Sequence, residues 1–568
     1  MSLGPTPETI APSESISFAS SEKAVGEPGH IALLKDSISS IKRSAMRFLS
    51  GTALSRVTGL VRDMVLAFAF GTHEAVSALF VAFRLSHVCR RLFGEGALQS
   101  AFIPIFEELR KDTPDRAFRF FRDLSVLLTL FLSVLVVLSM VGLGISLSVV
   151  DWSVGNREII QLMIILMPSL VPICLFGVNS ALLQCQKHYF TAGIAPAFFN
   201  ISITIGAIFF MKVAPREAMP YIAISIVLGC ALQWFVTFPS SMRHVRQALV
   251  GKVKESIKLL SPDIRLLGKP LALGLLGVGA SQINNAVDTL FARYADPEGP
   301  AQLWYGLRLL QLPLALFGIA ISGALLPPLS RAIQAGNKQE YLQFLEFALR
   351  RVTAFLLPCM VILYVMGTNI INLIYGRGDF QAHSIYTTSS CLHGYALGLL
   401  PMGFIIVLAP AFYAHKDFRT PTIGALISLV TNLSLDTFLV FVLGWKAVSV
   451  ALATSVASWL NILYLHRKLE QRSGKVLTDE GAQEFFKVII VSVLAGVITW
   501  LFQTRFFVPG AFFNFFANNS EALPTELFGQ LYSVAMPGLI FIGFTLLFSW
   551  IVKAQDLLAI FRIKKSAA

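Results

Sequence analysis

The chain has 568 residues, of which 55% are hydrophobic and only 14% charged, against about a quarter charged in an ordinary soluble protein. With a mean hydropathy of +0.68, it cannot be a soluble multidomain enzyme, because a packed globule must cover itself with polar atoms. The formal charge of +13, from 46 Lys and Arg against 33 Asp and Glu, would suggest nucleic acid in a soluble chain. Here it reads as the basic cytoplasmic face of a membrane protein, with no nucleic-acid partner.

The first 44 residues are rich in Pro, Ser and Glu (PTPETIAPSESISFASSEK) and lack a basic segment followed by an apolar core. They read as a disordered cytoplasmic tail rather than a signal peptide. From Phe48 to Ile560, apolar runs of about 20 residues recur, each long enough to cross a bilayer core. They are continuous rather than alternating in period two, which argues against a β-barrel. About fourteen spans are expected, near 46–70, 74–93, 122–149, 158–183, 190–212, 219–241, 267–292, 303–327, 349–373, 386–414, 421–443, 446–466, 485–504 and 531–553. Loops carrying Arg90 to Arg122, Arg243 to Lys269, Arg331 to Arg351, Lys416 with Arg419, and Arg467 to Lys487 alternate with loops poor in Lys and Arg. This alternation places both termini in the cytoplasm; the loop with Lys212 and Arg216 opposes it. The six cysteines stand singly, with no CxxC pair or Cys/His ligand spacing, so neither disulfides nor zinc are indicated.

The chain repeats itself at about 224 residues. Arg84 and Arg308, Leu85 and Leu309, Phe93-Gly94 and Phe317-Gly318, and Pro104 and Pro328 share one register. Asp63 and Asp288 keep nearly the same offset, and Asn200-Ile201-Ser202-Ile203 answers Asn432-Leu433-Ser434-Leu435. About six spans fill one period, so the halves share an orientation and the substrate site is expected between them. The expectation is an all-α polytopic membrane protein: an N-lobe over 45–248, a C-lobe over 249–475, and two further helices with a short basic tail over 476–568.

The first span, SGTALSRVTGLVRDMVLAFAFG, carries Arg56, Arg62 and Asp63. Each central charge costs about 2.5–3.5 kcal/mol on insertion scales, so such residues face a protein interior or water. Arg84, Arg90 and Arg91 follow in the second span and Arg308 in the eighth. Arg84 and Arg91 also fit packing or snorkelling at a helix end, and salt bridges knitting helices together are the competing account of Arg56, Arg62 and Arg308. Several arginines against one or two acids nevertheless suit an electropositive cavity. Guanidinium forks match phosphate oxygens in bidentate geometry and stay charged when partly desolvated.

A second set is oxygen-rich. Asn432 and Asp436 lie one turn apart in the eleventh span, Asp288 in the seventh and Thr454 in the twelfth. Carboxylate, amide and hydroxyl oxygens are ligands for a hard cation; the competing account is that Asp436 pairs with a Lys or Arg, or sits near the outer surface beside Lys446. No HExxH, GxSxG or Walker-type motif occurs, and the adjacent Glu107 and Glu108 read as a solvated face, so no enzyme activity is expected.

The segments SRVTGLVRDMVLAFAFG, VAFRLSHVCRRLFGEGALQSAFIP, QINNAVDTLFA with YGLRLLQLPLALFGIAISGALLPPLS, and LAPAFYAHKDFRTP resemble the MurJ (MviN) family of lipid II flippases, in the multidrug/oligosaccharidyl-lipid/polysaccharide exporter superfamily. The resemblance implies two six-helix lobes around a central cavity, with two C-terminal helices forming a lipid-accessible groove. It also implies translocation of an undecaprenyl-pyrophosphate-linked peptidoglycan precursor across the bacterial inner membrane. By the same resemblance, Ser55, Arg56, Arg62, Asp63, Arg90 and Arg308 would contact substrate and Glu95 would belong to a cytoplasmic gate. Asp288, Asn432, Asp436 and Thr454 would form a sodium site, sodium being the one coupling ion implied. The chain departs from the family pattern at Ser77, where an aspartate is usual, at Ser86, where a proline is usual, and at Leu307, where an aspartate is usual. A monomer working on lipid II among membrane lipids is expected. The alternatives from the residues alone are a flippase for another polyprenyl-pyrophosphate glycan, a drug or cation antiporter of the same fold, and a membrane scaffold.

Overall fold

A computed structural model describes residues 38–94, 96–249, 257–259, 261–315, 319–506 and 523–561. Most of the expected tail, Glu95, the 507–522 stretch and residues 562–568 lie outside them. The described residues are helical throughout, without a strand.

The first half comprises α1 (Ile38–Phe70), α2 (Glu74–Ser86), α3 (Val88–Phe93), α4 (Ala97–Asp112), α5 (Pro114–Val149), α6 (Val154–Leu166), α7 (Leu170–Cys185), α8 (Tyr189–Phe210) and α9 (Pro215–Ala248). A single 3₁₀ turn at Met167–Ser169 joins α6 to α7. The second half comprises α10 (Pro262–Arg265), α11 (Gly268–Ala295), α12 (Gly299–Pro313), α13 (Ile319–Gln334), α14 (Lys338–Tyr375), α15 (Ala382–Ala396), α16 (Leu399–Ala414), α17 (Arg419–Thr437) and α18 (Val448–Ser473). After these come α19 (Asp479–Phe506), α20 (Leu527–Val552) and a short α21 (Gln555–Phe561). The first helix thus begins at Ile38, inside the stretch expected to be tail.

Among the described residues, nine helices are long and apolar enough to cross a membrane, or ten when α15 and α16, bent by 42°, count as one. The expected number was about fourteen. Charge is the reason α1 falls outside this set, since Arg56, Arg62 and Asp63 interrupt its apolar run; α2 and α12 are shorter than a bilayer crossing.

Burial is arranged as a bilayer requires. Outward faces carry large apolar side chains, for instance Val134, Val137, Leu138 and Val141 on α5 and Leu539 and Trp550 on α20, all exposed. Polar side chains such as Asp63, Ser77, Asn369, Asp436 and Gln530 are almost wholly buried. In the first half, α1 packs along α8, α8 along α9, and α2 on α6. In the second half, α17 packs on α18, α12 on α15, and α14 on both α15 and α16. The α19–α20 pair packs on α14. Amide groups fix this last contact: Asn369 Nδ2 donates to the Ser533 carbonyl (3.0 Å), Asn372 Nδ2 to the Pro524 carbonyl (2.9 Å), and Gln530 Nε2 to the Gly376 carbonyl (3.0 Å). Apolar burial between helices supplies little drive in lipid, so small and amide-bearing side chains hold such an interface.

The halves meet tightly at the end of the bundle where α1 stops. Thr72 Oγ1 donates to Glu298 (2.6 Å) and lies 2.8 Å from Ser384 Oγ, while the Asp379 N–H donates to the Phe68 carbonyl (2.9 Å). Gly71, at φ +56°, and Gly378, at φ +63°, permit this approach; a Cβ at Gly378 would stand 2.2 Å from the Phe68 carbonyl oxygen. Ser77 also bridges the halves, its Oγ accepting from the Ala301 N–H (3.1 Å) in the first turn of α12.

Candidate functional site

Beneath that closure, α1, α2, α3, α8, α9, α11 and α12 enclose a cavity of about 370 Å³. Its walls include Arg62, Arg84, Arg90, Arg91 and Arg308, the amides Asn200, Gln233, Gln282, Asn285 and Gln311, and the rings of Phe83, His87, Phe199 and Trp304. Among the described residues, no aspartate or glutamate lines it. The break between α2 and α3 helps to bring its arginines there: His87 ends α2, Nδ1 lying 3.0 Å from the Phe83 carbonyl oxygen, and the chain restarts so that Arg84 and Arg90 both reach the same space. Ser86, in place of the expected proline, does not prevent this break.

Asp63 stands directly behind the wall, fully buried. Its Oδ1 receives Arg62 Nη2 at 2.7 Å and Nε at 3.0 Å, and its Oδ2 lies 2.9 Å from Arg308 Nε. Arg62 is itself held from the far side by Asn200 Oδ1 (3.0 Å), and Asn200 Nδ2 donates to the Ser55 carbonyl (3.0 Å). Trp304 supplies a common face: the guanidinium carbons of Arg308, Arg84 and Arg62 lie 5.0, 5.7 and 6.0 Å from its ring, within the range of cation–π attraction. Five guanidinium groups therefore face one cavity with a single carboxylate behind them. Guanidiniums remain charged under desolvation, so the chamber is electropositive and suited to an anion with several oxygens.

The oxygen-rich set also comes together. Asn432 Nδ2 donates to Asp288 Oδ1 and lies 3.3 Å from Asn284 Oδ1, while Asn284 Nδ2 donates to Asp288 Oδ2 (3.2 Å). Thr454 Oγ1 lies 3.5 Å from Asp288 Oδ2. Asp436 is fully buried with its carboxyl group against that of Asp288, and among the described residues no amide, hydroxyl or cationic donor reaches either of its oxygens or Asn432 Oδ1. Among the described residues no Lys or Arg forms an ion pair with either acid. Two residues past Asp436 the helix widens into a π turn at Phe438–Val442, a distortion frequent at functional sites. Unsatisfied buried oxygens around two close carboxylates fit a hard cation. Among the described residues no group of three or more His, Cys, Asp and Glu forms a metal site.

A profile of the family described as "Lipid II flippase MurJ" matches residues 66–521. The chain belongs to the lipid II flippase MurJ family. A probable lipid II flippase MurJ of Chlamydia muridarum is 34% identical over 82% of this chain and 85% of its own length. A lipid II flippase MurJ of Burkholderia cenocepacia is 30% identical over 80% of this chain and 89% of its own. A solved structure titled as lipid II flippase MurJ in an inward closed conformation superposes with a TM-score of 0.71 at 26% identity, covering 90% of this chain and all of that one. An inward-facing multidrug resistance transporter of the MATE family, at 14% identity and a TM-score of 0.57 over 75% of this chain and 98% of its own, shares the fold. The protein is accordingly a multi-pass inner-membrane protein of a transporter family.

Of the residues that the MurJ resemblance singled out, Arg62, Arg90 and Arg308 line the cavity, and Asp63 braces two of them. Ser55 contributes its carbonyl as an anchor for Asn200. Arg56 is exposed and is not in the wall: six residues before Arg62, it points about 120° away around the helix at 100° per residue. Glu95 lies outside the described residues. Asp288, Asn432, Asp436 and Thr454 fall within one cluster. The sequence alone did not single out Asn200 or Trp304 as site residues, and it left Arg84 between the electropositive interior and a packing or snorkelling role. For Asn200 a signal existed in its repeat match with Asn432; Trp304 in an apolar span carries none.

Proposed function

We propose that this protein carries lipid II from the inner to the outer leaflet by alternating access, with its pyrophosphate held by Arg62, Arg84, Arg90 and Arg308. The supporting observation is the cavity between the two halves, walled by five arginines with no lining carboxylate among the described residues. At about 370 Å³ it sits near the small end of ligand pockets, which run from about 300 to 1,000 Å³. It suits a diphosphate, while the attached sugars and peptide need the halves to part further. The prenyl tail stays in lipid beside α19 and α20.

The chain's own residues divide the work. Asp63 and Asn200 hold Arg62 in place, Asp63 and Trp304 hold Arg308, and together they preorganise donors for phosphate oxygens. An anion between mutually repelling guanidiniums favours approach of the two halves, so binding shifts the population of lobe arrangements through differential contacts. The loop charges support cytoplasmic termini. The Asp288–Asp436 cluster, with Asn432 and Thr454, would hold sodium, and when bound that ion supplies a gradient that can reset the cycle. Polarity separates this reading from a cation antiporter of the same fold, whose cavity would need acids in the wall.

The test is flipping of labelled lipid II in proteoliposomes. Arg62→Ala and Arg308→Ala are expected to abolish flipping while membrane insertion stays normal. Wild-type rates in both variants would overturn the proposal. A polyprenyl-pyrophosphate lipid with a different glycan, assayed in parallel, distinguishes lipid II from other substrates of the same chemical class.

A further inference from the structure

Arg84 belongs to both halves of the site. It lines the arginine cavity, and it also lines a narrow crevice of about 20 Å³ that leads from the cavity to Asp288. Asn285, Trp304 and Leu307 are common to the two spaces, and Asp288, Thr289 and Tyr395 line the crevice but not the cavity. Asp288 is an acid within Coulombic reach of the Arg84 guanidinium. That guanidinium lies over Trp304 (5.7 Å), its Nε is buried without a hydrogen-bond partner, and no ion pair engages it among the described residues. The other cavity arginines with recorded ion pairs, Arg62 and Arg308, are fixed by Asp63. Among the described residues, Arg84 is the charged side chain that lines both the anion chamber and the crevice containing Asp288.

We infer that Arg84 is the residue that couples the cation cluster to the anion cavity, so that sodium at Asp288 and Asp436 and a diphosphate in the chamber bind with positive cooperativity. This rests on the reading of those two sites given above. With the cluster empty, Asp288 attracts Arg84 along the crevice and its negative field opposes an incoming diphosphate. A cation on the two carboxylates cancels that field and frees the guanidinium for the chamber. Linkage is reciprocal, so the diphosphate raises sodium affinity by the same factor.

The experiment uses the full chain in lipid nanodiscs, with farnesyl diphosphate as the anion probe and radioactive sodium as the cation probe. Affinity for each is measured with the other present and absent, N-methylglucamine replacing sodium at constant ionic strength. In the wild type, sodium is expected to tighten farnesyl diphosphate binding about fivefold or more, the low end of usual allosteric coupling. In Arg84→Gln the factor falls below about twofold while sodium still binds; in Arg84→Lys, which keeps the charge without the planar fork, it falls between the two. If the glutamine variant does not fold, Arg84→Lys serves in its place: a factor below the wild-type value supports the role of Arg84, and an unchanged wild-type factor overturns it. Full linkage retained in Arg84→Gln overturns the role of Arg84. Sodium and farnesyl diphosphate both binding to the wild type without linkage overturns the coupling alone, whereas no sodium binding at all overturns the cation cluster and the coupling with it.

Discussion

Replacing Asp63 by Asn removes one charge and almost no volume, and the structure gives its consequences in two parts. Within the first half, Arg62 loses the negative charge it faces at 2.7 and 3.0 Å, keeping a neutral amide oxygen in its place and Asn200 at 3.0 Å. Arg62 is 5% exposed, and leaving one partner of a buried pair uncompensated costs about 3–5 kcal/mol. The retained amide places the expected loss of stability at about 3 kcal/mol, the lower end. Between the halves, the tie from Asp63 to Arg308 on α12 is lost. The Arg308 side chain is 37% exposed, so solvent screening reduces that part to about 1 kcal/mol, roughly a fivefold shift in population toward separated lobes. Spin labels at Lys212→Cys and Lys446→Cys, exposed on opposite halves, report the separation by electron–electron double resonance. The variant should show a larger long-distance fraction, tighter binding of a soluble diphosphate to the more positive chamber, and slower flipping. An unchanged distance distribution in well-folded Asp63→Asn protein would refute the role of Asp63 as a brace across the lobe interface.

The remaining expectations are simpler. Ser77→Ala removes the acceptor for the Ala301 N–H, which also reaches the Glu298 carbonyl at 3.1 Å; the loss is therefore at the low end of a helix cap, about 0.5–1 kcal/mol. Cysteine accessibility at the closed end should rise in Ser77→Ala and fall in Ser77→Asp, whose charge suits a helix N-terminus; equal accessibility in both contradicts a latch at this position. Replacing sodium by N-methylglucamine should lower the melting temperature, since a ligand at a hundred times its Kd adds about 2.7 kcal/mol. The shift should vanish in Asp436→Asn, and its persistence there would place the ion elsewhere. Asn372→Leu strips α14 of its bond to the Pro524 carbonyl and of one to Gln530. Membrane hydrogen bonds average about 0.6 kcal/mol, so a loss of about 1 kcal/mol is expected, read as a small drop in melting temperature and faster proteolysis between α19 and α20; unchanged proteolysis would show that the amide seam does not hold the pair.

Sequence alone conveyed the helical class, the charged first span and most of the arginine wall, because a guanidinium in an apolar run is costly enough to be conspicuous. Arg62, Arg90 and Arg308 needed no coordinates to be noticed. Direction around the helix was harder: Arg56 carries the same chemistry as Arg62 but faces elsewhere. Neutral groups were harder still. Asn200 and Trp304 cost little in a span and left no trace by composition, yet one clamps Arg62 and the other carries three guanidiniums on its face. The interlobe use of Ser77 depends on a partner more than 200 residues away, which local pattern does not reveal. Counting spans by apolar length finds fewer than expected partly because charge interrupts α1 and because α2 and α12 are short.

The repeat-related positions Asp63 with Asn200 and Asp288 with Asn432 end in opposite situations. In the first half a guanidinium is wedged between acid and amide, a counter-ion tethered by its own peptide bond and unable to leave. In the second, Val287 occupies the place that corresponds to Arg62, and the amide meets the acid directly. The same pairing of acid and amide therefore holds a guanidinium in the first half and closes on itself in the second. The electrical asymmetry between the halves comes down to which of two adjacent side chains the backbone carries.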